Sequence, residues 1–421
     1  MRSFAMPGLV VLAAVACGSQ TSSNNSSGGG ATGAGTQGAA SSSTSSSTGA
    51  GSSASTLSTS SSSTGAGSND GSAGTSLPAL HTQGNQILDA NGNTVVLRGV
   101  AIPDIGVLFT EGNGISGVTG RIDEILGAAG LDIRAIRLPV YPRTVPNNGD
   151  PTYSPLPYPV GPAAPGEAGA GTDLTAQQYI AQVLQPAVDY ATSKSLYAIV
   201  DYHQIDNVTT GTSSADAVTF WTTVAPVFAS YSNVLYEAFN EPIDSTGNAG
   251  ITAAGAWTTA FTAAAQSWIT TIRAGAPSNV IIVGSPSWSQ YPDGALTAGL
   301  MGGNLAFTAH AYPSNWPGSM DAFQNRVAKA AMGEPVAMTE WGYQIGTATP
   351  NDTWAQNLQA FVNDGGESWT AWVADPSWGP PMFTRGASAG VNSFNGLTDF
   401  GTFVQTWLAG YGGGSDGGAE Q

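Results

Sequence analysis

Apolar residues along the chain recur in two different periods, and the two alternate. Short apolar runs at residues 96–101, 133–138, 197–200, 234–239, 280–283, 305–309, 336–338 and 369–373 have the length and composition of buried strands. Between them, apolar positions three and four apart predict helices over 121–129, 176–193, 215–231, 253–274, 321–331, 353–362 and 400–408, with a weaker helical stretch at 293–301. Upstream, Ile87-Leu88, the turn Asp89-Ala90-Asn91-Gly92 and residues 94–97 predict a hairpin. Eight strands alternating with helices predict an α/β fold, a (β/α)8 TIM barrel preceded by an N-terminal β-hairpin. An open doubly wound sheet is disfavoured, because no Gly-rich dinucleotide fingerprint follows the first strand and no phosphate loop with a Lys occurs.

The pattern stops at both ends. Residues 17–76 are almost entirely Ser, Gly, Thr, Ala and Asn, which bury too little apolar surface to offset the entropy of ordering; a flexible linker is expected there. The folded domain is expected over 77–411 and a disordered tail over 412–421. Residues 1–16 place Arg2 before a short apolar run, the layout of a signal peptide. Ala14-Val15-Ala16-Cys17 resembles a bacterial lipobox, with Ala14 where that motif usually has Leu. Two outcomes follow: Cys17 acylated and anchoring a cell-envelope lipoprotein, or cleavage after Ala16 with secretion. A linker of this length spans about 40–45 Å root-mean-square, enough to hold a domain clear of an envelope.

Charge narrows the partners. The net charge is −17 with only 11 Lys and Arg, which argues against nucleic acid and anionic membrane surfaces. A membrane is expected to be met only through the lipid anchor, and a monomer is expected. Cys17 is the sole cysteine, so the domain has no disulfide, thiolate nucleophile or cysteine metal site.

Chemistry concentrates where strands end. A barrel gathers functional groups at the C-terminal ends of its strands. Arg137, Asp201-Tyr202-His203, Asn240-Glu241, His310 with Tyr312, Glu340 and Trp372 all fall at or near such ends. Two carboxylates at the ends of different strands suit glycosidic-bond hydrolysis, one protonating the leaving oxygen and the other attacking the sugar or activating water. Glu237 shares the face of Glu241 by period-two spacing but lies deeper, and is expected to be a buried structural carboxylate. Asp201, Asp206 and His203 offer a metal alternative, but their spacing fits no familiar zinc motif and the chemistry needs no metal or other cofactor. Trp288, Trp316 and Trp378 lie on loops after strands and are candidate subsite aromatics. The long Pro- and Gly-rich connection 144–171 is expected to build one wall of a cleft.

In these residues the sequence resembles glycoside hydrolase family 5, over about residues 95–408. Arg137, His203, Asn240, Glu241, His310, Tyr312, Glu340 and Trp372 match its motif residues in order, and Ala238 is one local departure that affects packing. The resemblance implies Glu241 as acid/base and Glu340 as nucleophile of a retaining mechanism. It implies sugar binding or support by Arg137, His203, Asn240, His310, Tyr312 and Trp372. The substrate it implies is a β-glucan, cut by an endo-β-1,4-glucanase; an endo-β-1,4-mannanase, a β-1,3-glucanase and a xyloglucanase remain open. Outside enzymes, a non-catalytic carbohydrate-binding protein and a structural lipoprotein are the rival classes.

Overall fold

A computed structural model describes residues 77–127, 129–143, 154–157, 174, 176–243, 257–313, 320–343, 351–386 and 394–411. Cys17, Trp316, the flanks 1–76 and 412–421, and most of the 144–171 connection lie outside the described residues. Eight strands close into one barrel: β1 Arg98–Ala101, β2 Ala135–Val140, β3 Tyr197–Tyr202, β4 Val234–Glu237, β5 Ile281–Val283, β6 Leu305–Ala311, β7 Val336–Trp341 and β8 Ser368–Ala371. Every neighbouring pair is parallel, and β8 pairs with β1 to leave no open edge.

Helices cover the outside, and most match the expected positions. The helical run over 176–193 holds one irregularity. Pro186 has no N–H to offer, and the backbone widens over Ile180–Leu184, where the Gln185 N–H reaches Ile180 O. The weak helix expected at 293–301 is only a 3₁₀ turn, Pro292–Gly294, and one α-turn, Ala295–Ala298. It stops where Gly299 takes φ +65°. The hairpin also differs from expectation. Its ladder pairs Leu80–Gln83 with Gln86–Asp89, whereas the expected turn at 89–92 closes only a single bridge between Leu88 and Thr94. Asp89 explains this, since its side chain accepts from the Asn91 and Asn93 N–H groups and tightens the turn locally.

The core has two layers. The larger lies between barrel and helices and includes Ile136, Leu138, Val200, Tyr236, Phe307, Met338 and Trp341. The smaller lies inside the barrel, where Ala135, Tyr197, Ile199, Leu235, Ile282, Ala306 and Ala337 meet Leu80, Ile87, Val95 and Leu97. The hairpin region thus caps the apolar lower end of the barrel. Alternation then points the next residues along the same strands inward and upward: Arg137, Asp201, Glu237, Thr308 and His310. The lower interior is apolar and the upper interior is charged.

Close packing at the β1–β2 seam gives a test. A Cβ built on Gly99 would lie 1.8 Å from Ala135 O, a backbone atom that moves only with the strand. Gly99→Ala should destabilise the fold by about 1–3 kcal/mol. An unchanged urea midpoint would show that the seam is looser than described.

Candidate active site

Arg137 is the third residue of β2 rather than its last, and the strand runs on to Val140. Its long side chain therefore rises inside the barrel, with 0 % exposure. Nε and Nη2 donate to Glu237 at 2.6 and 3.1 Å. Nη1 donates to Glu340 Oε1 at 2.6 Å, and Nη2 to Asn240 Oδ1 at 2.6 Å. Asp201 Oδ2 lies 2.9 Å from Nη2. One cation thus ties strands β3, β4 and β7 to β2, each donor directed at an oxygen.

Glu340 arrives by a bulge. Thr308 pairs with Ala337, but His310 pairs with Glu340, so β7 holds one extra residue. Met338 and Trp341 both pack outward into the large core. Thr339 and Glu340 consequently both turn inward, where strict alternation would admit only one of them. Glu340 Oε2 accepts from Tyr312 Oη at 2.7 Å. Burial opposes ionisation of Glu340, but the charges of His310 and Arg137 and the Tyr312 hydrogen bond outweigh it and hold its pKa below the ordinary value.

Glu241 follows β4 and stands opposite. Burial pushes its pKa up, the charge of Glu340 adds to this, and the hydrogen bond from His310 restrains it. His310 Nδ1 lies 2.9 Å from Glu241 Oε1 and 3.6 Å from Glu340 Oε2. An oxygen of each carboxylate and a His310 nitrogen lie within 4.8 Å of one another. Their partners are the Arg137 guanidinium and hydrogen-bond donors, an environment already supplied with positive charge. Asp201, His203 and Asp206 do not form the alternative cluster, because Asp206 is held instead by Ser213 Oγ. Among the described residues, Glu241, His310 and Glu340 are the one His/carboxylate group with that spacing.

His203, Trp372 and Trp378 form a ring-lined wall with Tyr141, whereas Trp288 sits on the turn after β5 and is not brought to it. His203 Nδ1 lies 2.6 Å from Asp201 Oδ2, and burial depresses the His203 pKa to about 3, leaving a neutral ring. Trp372 stacks on His203 with centroids 5.0 Å apart and planes 9° from parallel. Trp378, half-buried, stands 6.1 Å from both Trp372 and Tyr141. Asp375 Oδ1 accepts from the Ser377 and Trp378 N–H groups, and Arg121 grips its other oxygen at 2.8 Å. Trp288 rides on a left-handed turn, with Ser287, Trp288 and Ser289 at φ 58°, 57° and 53°. Ser289 Oγ ties that turn to Asn240 O at 2.6 Å.

The family model for cellulase (glycosyl hydrolase family 5) matches residues 88–377. The chain belongs to this family. An endoglucanase of Clostridium saccharobutylicum is 30% identical over 239 residues, 56% of this chain and 50% of that protein. Endoglucanase Z of Dickeya dadantii is 28% identical over 232 residues, 53% of this chain and 49% of that one. The chain thus spans about half the length of the curated relatives it matches. Among solved structures, the β-glucanase SdGluc5_26A of Saccharophagus degradans superposes with a TM-score of 0.60 at 21% identity, covering 79% of this chain and 93% of that one. The catalytic domain of Thermobifida fusca endoglucanase Cel5A gives 0.57 at 23%, covering 79% and 97%. At these identities the likeness shows the (β/α)8 fold.

Several residues packed into this candidate site carry little or no signal in the sequence. Tyr141 packs 4.4 Å from His203, with its N–H held by Asp104; its signal was an aromatic residue directly after a barrel strand. Thr308 and Thr339 carried no signal, because their roles depend on the bulge.

The site's dependence on Arg137 is measurable. Arg137→Met leaves several carboxylates in a buried site without their shared partner and should cost about 3–5 kcal/mol at neutral pH. Glu237, held down to about 2 from 4.5 by Arg137 despite its burial, contributes stability above pH 4.5 that is lost as pH falls toward 2. The gap between wild type and variant in urea denaturation should therefore narrow over that interval. A constant gap would mean that Arg137 acts by packing alone.

Proposed function

We propose that this chain is a retaining β-glycosidase acting on neutral β-glucan, an endo-β-1,4-glucanase, with Glu340 as nucleophile and Glu241 as acid/base. The observation that carries the reading is the close Glu241–Glu340 pair with opposite pKa directions. A short separation suits direct attack, whereas an inverting pair stands about 6.5–9.5 Å apart to admit a water. Family membership and relatives named endoglucanases support the same reading. One structural neighbour, SdGluc5_26A, was solved with cellotetraose.

In the first step Glu340 attacks the anomeric carbon as the glycosidic C–O bond breaks, and the leaving oxygen takes the Glu241 proton. In the second, Glu241 takes a proton from water, the water oxygen bonds to the anomeric carbon, and Glu340 departs. The charges of His310 and Arg137 and the Tyr312 hydrogen bond keep Glu340 ionised. Asn240 has its oxygen committed to Arg137, which leaves its amide nitrogen to donate to the sugar 2-hydroxyl. His203 presents Nε2 to the sugar, and Trp372, with the half-buried Trp378 6.1 Å away, offers apolar ring surface beside it.

Reducing-sugar release from carboxymethyl cellulose, mixed-linkage glucan, galactomannan, xylan and laminarin tests both substrate and roles. Glu241→Gln should lower kcat on soluble mixed-linkage glucan about 10²–10⁴-fold, and Glu340→Gln at least as much. The first product should retain the substrate's anomeric configuration by NMR. Activity confined to galactomannan would move the substrate to mannan. Glycan binding with no turnover would make the chain a binding protein.

We also propose export, with Cys17 acylated and residues 17–76 as a tether; among the described residues no helix is long and apolar enough to cross a membrane. In a bacterial host, Cys17→Ser should shift the protein from the membrane fraction to the soluble fraction. Equal partition of the two forms would favour simple secretion.

A further inference from the structure

Glu237 has no role in the two chemical steps, yet it lies fully buried beneath them and is linked to the acid/base by an unbroken chain of hydrogen bonds. Thr339 Oγ1 donates to Glu237 Oε1 at 2.7 Å. Glu237 also accepts two bonds from Arg137, as an ionised carboxylate can. The single Thr339 hydroxyl hydrogen is thereby committed to Glu237. Its oxygen must then accept from its other neighbours, the Thr308 hydroxyl and His310 Nε2, the latter at 3.1 Å. His310 therefore carries its hydrogen on Nε2, and its Nδ1 faces Glu241 Oε1 at 2.9 Å.

We propose that Glu237, acting through the Thr339 hydroxyl, is a positioning residue that pins His310 with its Nε2 hydrogen on Thr339, so that His310 Nδ1 and Glu241 Oε1 hold one transferable proton between them. The inference rests on the reading of Glu241 as acid/base. The groups facing His310 fit it. Glu237, Glu241 and Glu340 bring negative charge from β4 and β7, with Tyr312 bonded to Glu340. Arg137 lies across the site, paired with Asp201, which also holds His203. Burial alone would disfavour the imidazolium, but the three glutamates outweigh it and raise the His310 pKa to about 9.

The proton belongs to the pair, so the basic limb of kcat/KM reports its loss from the pair. Removing the Glu237 charge destabilises the more protonated state, which moves that loss to lower pH. Glu237→Gln should shift the basic limb down by about one pH unit. The His310 midpoint in ¹⁵N NMR should move down with it. Thr339→Val, which changes no charge, should shift both in the same direction by less. Thr339→Ser, which keeps the hydroxyl, should return the limb to its wild-type place. The double variant Glu237→Gln/Thr339→Val should shift it no further than Glu237→Gln alone.

A lowered melting temperature with an unmoved limb and midpoint would overturn the proposal and leave Glu237 a counter-ion of Arg137. So would a neutral His310 protonated on Nδ1 in the wild type. If Glu237→Gln fails to fold, the two Thr339 variants decide. The NMR midpoint needs no turnover, so it reads the relay even if Glu241→Gln keeps activity and the catalytic reading falls.

Discussion

The upper half of this barrel is organised by a single buried guanidinium. Arg137 reaches Glu237, Glu340, Asn240 and Asp201, which come from three other strands or their ends. A buried cation of this kind costs desolvation energy that only full hydrogen bonding offsets. Because all its partners are needed, the register of β2, β3, β4 and β7 at this level is fixed together. A lysine would supply one point charge and could not direct separate donors at separate oxygens.

Around that cation the site separates two histidines by their neighbours. His203 meets Asp201 through Nδ1 and is enclosed by Trp372 and Tyr141, and burial keeps it neutral. His310 is equally buried but faces three glutamates, so it gains positive charge. The same contrast sorts the carboxylates. Burial weighs on both, but at Glu340 the charges of His310 and Arg137 and the Tyr312 hydrogen bond outweigh it, whereas at Glu241 the His310 bond does not. In the proposed mechanism these differences assign one glutamate to attack and the other to proton transfer.

The bulge in β7 makes this arrangement possible. Two adjacent residues turn inward there, so Glu340 can face the substrate side while Thr339 joins the layer beneath it. Without the extra residue, alternation would send one of them out among the helices.

The sequence by itself determined the fold class, the eight strands and which polar residues fall at or near their ends. Period-two apolar runs and strand-end polar groups are local signals, and local signals survive in a linear chain. The expected burial of Glu237 is met, but not through alternation from Glu241, because β4 ends at Glu237 and Ala238 and Phe239 both pack outward. Tertiary structure alone decided that Arg137 rises from the middle of β2, that β7 bulges, and that Thr308, Thr339 and Tyr141 belong to the site. It also decided that the hairpin ladder forms at residues 80–89, where its apolar face can cap the barrel. Each of these depends on which strand lies beside which, and on how much water burial removes from a charge. Those are properties of the closed barrel that no stretch of the chain carries alone.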